Sequence, residues 1–143
     1  MKIKTNEPPL LGILCIAGVM SDKKKILVVD DNEASRIMLR EELEANGYEV
    51  SEAEDGAVGL EKARHTAPDL IILDVMLPKM DGYKVCGLLK ADTRYNKIPI
   101  IIFTAKVQES DKKLSVEMGA NAYITKPFDP DELLGKISEL LGG

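Results

Sequence analysis

A chain of 143 residues has room for about one domain, and an apolar content of 45% with four Tyr, two Phe and no Trp implies a core of Ile, Leu, Val, Ala and Met. With 24 acidic against 19 basic side chains the net charge is −5, and no long basic run is present, which argues against an electrostatic grip on nucleic acid or on an anionic membrane. The composition points instead to proteins, metal cations and small phosphorylated groups as partners.

The first segment in chain order is an apolar run from Leu10 to Met20, preceded by Lys2 and Lys4. It is too short to span a bilayer, which takes about 20 apolar residues. It also makes a poor secretory signal, because Glu7, Pro8 and Pro9 separate the charges from the run and no small-residue cleavage site follows. Met20 opens a new start-like stretch, so residues 1–19 read as an N-terminal extension outside the fold, and 20–143 as the domain. The two cysteines, Cys15 and Cys86, form neither a disulfide framework nor a C-x-x-C pair, which fits a reduced, cytoplasmic setting.

From Lys24 onward, short β-branched runs alternate with longer charged stretches. The runs predict strands at Ile26 to Val29, Tyr48 to Ala53, Leu70 to Leu73, Ile98 to Phe103 and Ala122 to Thr125. Three of them are almost continuously apolar, as strands buried on both faces of a parallel sheet must be. Between them, helices are predicted near Glu33 to Asn46, Gly56 to Arg64, Tyr83 to Lys90 and Glu109 to Met118, and a last one at Pro130 to Leu141. The last carries an Asp129 cap, Pro130 at its first position and the stripe Leu133, Leu134, Ile137, Leu140 and Leu141. In the first, Ile37, Met38, Leu39 and Leu43 form a broad patch. Glu109 to Met118 suits alternation as well as helix, and is assigned to helix because a parallel sheet needs a crossover there. Asp81 and Gly82 read as a turn. The result is a doubly wound α/β sandwich, whose ligand site belongs at the carboxyl ends of the strands.

Those ends carry chemistry. The first strand ends in Asp30 and Asp31 and the third in Asp74, and neighbouring strands would bring three carboxylates into one pocket. Like charges at that range force a proton back on unless a cation joins them, and Mg²⁺ suits such a cluster. The fourth strand adds Thr104 and the fifth Lys126, whose bond to Pro127 has the choice of a cis form that turns the lysine inward. Together these groups suit in-line attack of a carboxylate on phosphorus, with Asp74 as nucleophile and Asp30 and Asp31 on the metal. Singly, each motif is ordinary turn or cap chemistry. Their joint placement at the ends of strands one, three, four and five is what carries the reading.

At this point the sequence closely resembles the receiver domain of bacterial two-component response regulators. The matching pieces are Ile26 to Asp31, Asp69 to Asp74, Met76-Leu77-Pro78, Met80-Asp81-Gly82, Ile102 to Ala105, Gly119-Ala120 and Lys126-Pro127-Phe128. The resemblance covers about residues 22 to 142. It implies a flavodoxin-like (βα)5 fold with strand order 2-1-3-4-5. It makes Asp74 the phosphoacceptor, Asp31 a direct metal ligand, Asp30 a ligand through water and the Met76 carbonyl a backbone ligand, for Mg²⁺ or alternatively Mn²⁺. Thr104, Lys126 and the backbone of Ala105 would bind the phosphoryl group, with Thr104 and Tyr123 as the switch pair. The implied partners are a histidine kinase or histidine phosphotransfer protein and a downstream protein target, without direct contact to nucleic acid or membrane. Such a protein is a phosphoacceptor rather than a classical enzyme, with slow self-catalysed phosphorylation and dephosphorylation. A phosphatase of the haloacid-dehalogenase type is the alternative. It needs an acid two residues after the nucleophile, where this chain has Met76.

Overall fold

The computed structural model describes residues 23–105 and 109–142. The expectation that residues 1–19 form an extension lies outside the described residues. Five strands and five helices alternate: β1 (Lys25–Val29), α1 (Glu33–Ala45), β2 (Glu49–Ala53), α2 (Gly56–Thr66), β3 (Leu70–Leu73), α3 (Gly82–Lys90), β4 (Ile100–Thr104), α4 (Glu109–Glu117), β5 (Ala122–Thr125) and α5 (Pro130–Leu140). All strand pairs are parallel, in the order β2-β1-β3-β4-β5. This is the flavodoxin-like arrangement, and the chain reverses its direction of winding between β1 and β3.

The sheet's two faces follow from the two-residue side-chain period. Leu27, Val29, Ile71, Leu73, Ile100 and Ile102 pack on one face with Leu60 and Ala63 of α2 and Val85, Cys86 and Leu89 of α3. Ile26, Val28, Leu70, Ile72, Ile101 and Phe103 pack on the other with Leu39 and Leu43 of α1 and Leu133 and Ile137 of α5. Every residue of β3 and β4 is buried. Each such Ile or Leu contributes about 1.5–3 kcal/mol by leaving water.

Helix starts are set by side-chain caps. Asn32, Asp55, Asp81 and Asp129 each accept a hydrogen bond from a backbone N–H of the first turn. Asp81 and Gly82 are therefore the cap and first residue of α3, not a free turn. The carboxylate of Asp81 takes the Lys84 N–H at 3.0 Å, which draws the helix start back one residue from the expected Tyr83. Strand β4 begins at Ile100 and not at Ile98, because Pro99 lacks an N–H and the Ile98 amide bonds the Tyr95 carbonyl in a turn. Among the described residues no helix is long and apolar enough to cross a membrane.

Candidate functional site

The pairing Val29↔Leu73 sets the next residues, Asp30 and Asp74, side by side at the carboxyl edge. The backbone continues the ladder there, with the Asp74 N–H donating to the Val29 carbonyl at 2.9 Å. Asp30 and Asp74 are buried and Asp31 is exposed. One carboxylate oxygen from each of the three lies within 4.8 Å of the others. Local backbone orients two of them: Asp30 Oδ1 accepts from the Asn32 N–H at 2.9 Å, and Asp74 Oδ1 from the Met76 N–H at 3.0 Å.

Lys126 closes the pocket from β5. Its Nζ donates to Asp74 Oδ2 at 2.9 Å and stands 2.7 Å from Asp30 Oδ2, the latter an ion pair without hydrogen-bond alignment. Burial works against the Lys126 ammonium, but the two carboxylates outweigh it and raise its pKa. For Asp30 burial dominates and raises the pKa, with Lys126 offsetting part of the rise. The Lys126-Pro127 bond is cis.

The remaining expected residues occupy the same edge. Thr104 ends β4, fully buried, with its carbonyl accepting the Lys126 N–H at 2.9 Å. Ala105 follows it, exposed. Tyr123 is half-buried in β5, level with Ile102. Met76 lies in the loop after β3, its side chain exposed. That loop is seated tightly. A Cβ on Gly82 would stand 2.1 Å from the Asp74 carbonyl oxygen, and one on Gly56 would stand 1.9 Å from that of Met80.

Other contacts at this edge escape any reading of motifs. Arg36 on α1 donates through Nη1 to the Asp30 carbonyl at 2.7 Å, and Lys79 Nζ reaches Asp55 Oδ2 at 3.5 Å. Neither pair has a spacing within one element that marks it.

An α/β sandwich whose strand ends hold an acid triad and a lysine belongs to the doubly wound class that binds at its topological switch point. The donor set is hard oxygen, partly open to water, with one buried carboxylate oxygen lacking an aligned hydrogen bond, and it fits a hard divalent cation. Comparison then identifies the group: residues 26–138 match the response regulator receiver domain, and the chain belongs to that family of two-component signalling proteins. It is 48% identical over 118 residues to the alkaline phosphatase synthesis transcriptional regulatory protein PhoP of Bacillus subtilis, covering 82% of this chain and 48% of that protein. The chain thus spans about half the length of such curated relatives. Among solved structures, chemotaxis protein CheY4 of Vibrio cholerae superposes with a TM-score of 0.78 at 33% identity, covering 82% of this chain and 98% of CheY4. The receiver domain of sensor histidine kinase PA1611 from Pseudomonas aeruginosa, described with magnesium coordinated in its active site cleft, gives 0.79 at 30% identity over 85% and 99%. Family membership leaves the phosphatase reading without support.

Proposed function

We propose that this receiver accepts a phosphoryl group on Asp74 with Mg²⁺ held by Asp30, Asp31, Asp74 and the Met76 carbonyl, and that the modification switches its protein contacts. The observation that carries this is the convergence of three carboxylates on one point with Lys126 paired to two of them. The magnesium described for the PA1611 receiver supports the choice of ion. Bound Mg²⁺ supplies charge neutralisation at the phosphoryl oxygens. An Asp74 oxygen attacks phosphorus in line, and the bond from phosphorus to the donor breaks as the donor leaves with its electron pair. With a phosphohistidine donor the leaving atom is an imidazole nitrogen. The Lys126 ammonium, held protonated by its two partners, faces the equatorial oxygens, and the Thr104 hydroxyl and Ala105 N–H donate to them.

The donor is a histidine kinase or histidine phosphotransfer protein. A groove of about 250 Å³ beside the pocket, lined by Ser35, Met38, Phe103, Lys126, Pro127 and Phe128, offers it an apolar seat. The readout is the Thr104 and Tyr123 pair. Drawing the Thr104 hydroxyl toward the phosphoryl group vacates space into which Tyr123 turns, reshaping the surface of α4, β5 and α5 for a downstream protein. The domain's charge gives it no grip of its own on nucleic acid, and its setting is cytoplasmic.

The test is incubation with a small phosphodonor over a range of Mg²⁺, followed by amide exchange on a stable phosphoryl analogue. Wild type gains a phosphoryl group only with Mg²⁺, and Asp31→Asn gains it far more slowly. Exchange across residues 109 to 125 changes in wild type and much less in Thr104→Ala. Labelling independent of Mg²⁺, or identical exchange with and without the analogue, contradicts the proposal.

A further inference from the structure

Arg36 connects three elements at the metal side of the pocket. From the first turns of α1 its Nη1 donates to the carbonyl of Asp30, beyond the end of β1, at 2.7 Å, and its Nε donates to Glu52 Oε1 on β2 at 3.0 Å. The other Glu52 oxygen meets Arg40 Nη2 at 2.5 Å. The Arg36 side chain is only 14% exposed, so these bonds form largely out of water and count for more than a surface pair. The carbonyl it holds belongs to the peptide that joins Asp30 to Asp31. Rotating that peptide turns the two carboxylates relative to one another, and the sheet does not prevent it, since the ladder to β2 closes with the Asp30 N–H on the Ala53 carbonyl at 3.1 Å.

We infer that Arg36 is a positioning residue for the divalent cation: it fixes the Asp30–Asp31 peptide from behind, while Glu52 aims the guanidinium. A planar fork serves both acceptors at once, which one lysine ammonium does less well. Residues that orient metal ligands without touching the metal change affinity by about 10–100-fold when lost. The inference rests on the metal-dependent phosphoacceptor reading.

The experiment is a Mg²⁺ titration of the full chain followed by backbone amide shifts, with thermal midpoints of the metal-free proteins measured alongside. Arg36→Gln weakens Mg²⁺ binding about tenfold, and Arg36→Lys falls between it and wild type. Glu52→Gln, which keeps an oxygen for Nε and leaves the Asp30 contact in place, lowers the thermal midpoint comparably yet shifts affinity by no more than about twofold. Wild-type binding in Arg36→Gln, or equal weakening in Arg36→Gln and Glu52→Gln, overturns the inference while the metal site stands. Wild type that shows no Mg²⁺-dependent shifts at Asp30, Asp31 and Asp74 overturns the metal reading and this inference together.

Discussion

Asp30 shows at the scale of one residue how the site is poised. It is 1% exposed, and burial raises its pKa above the ordinary 3.8, with Lys126 and the Asn32 N–H opposing the rise and the Asp74 charge adding to it. A carboxylate whose folded pKa exceeds its unfolded one contributes stability that is fully present below 3.8 and lost as pH climbs through the raised value. Above that value the charge on Asp30 weighs against the fold. Asp30→Asn should raise the thermal midpoint of the metal-free protein at pH 7, with the gain shrinking as pH is lowered toward 3.8. Calorimetry across that range checks it, and a lowered midpoint at pH 7 contradicts it. Lys126 shifts in the same sense but in a higher window: its contribution is present below 10.5 and lost as pH climbs through its raised value, so at pH 7 it favours the fold. Both acids and the lysine were legible because each follows directly on a strand. Arg36 was not, because its partners lie on other elements and only the packing of α1 over the ends of β1 and β2 brings them to it.

At the scale of elements, the start of α3 ties Asp74, the proposed phosphoacceptor, to its surroundings. Gly82 leaves room for the Asp74 carbonyl, and a methyl group there would stand 2.1 Å from that oxygen and 2.7 Å from the Val75 Cα. Both obstacles are backbone, so neither can swing aside. Gly82→Ala should cost about 1–3 kcal/mol in urea denaturation and slow phosphorylation of Asp74, because the end of β3 must shift. Unchanged stability and rate would show that the contact is slack. Strands β1, β3 and β4 were legible in sequence because a parallel sheet covered on both faces demands near-continuous apolar runs. Helix α4 was legible only through the need for a crossover, and its packing explains why. Val116 and Leu114 are exposed, while Ser115 between them is buried and satisfied by donating to the Asp111 carbonyl at 2.9 Å. Its polarity is inverted relative to its burial, so periodicity misreads it. The broad patch of α1 resolves similarly: Leu39 and Leu43 face the core, while Ile37 and Met38 remain exposed, Met38 lining the groove beside Lys126.

At the scale of the molecule, the two apolar layers on either face of the sheet are complete within the described residues, each sheet face being covered by helices. A chain beginning at Met20 should therefore match the full chain in thermal midpoint and phosphorylation rate. A fall of several degrees would mean that the run from Leu10 to Met20 packs on the domain. On the proposed function, the strand-end pocket directs a phosphoryl group to Asp74 in particular. Asp81 is exposed and Asp69 and Asp92 are half-buried, all outside the acid cluster, while Asp74 is buried, pairs with Lys126 and has Asp30 and Asp31 beside it. The most direct measurement is peptide mapping by mass spectrometry after incubation with a small phosphodonor and Mg²⁺, in wild type and in Asp74→Asn. One phosphoryl group is expected, located on the peptide containing Asp74 and absent from Asp74→Asn. Undiminished phosphorylation of Asp74→Asn, or a modified residue elsewhere in the wild-type chain, would contradict it.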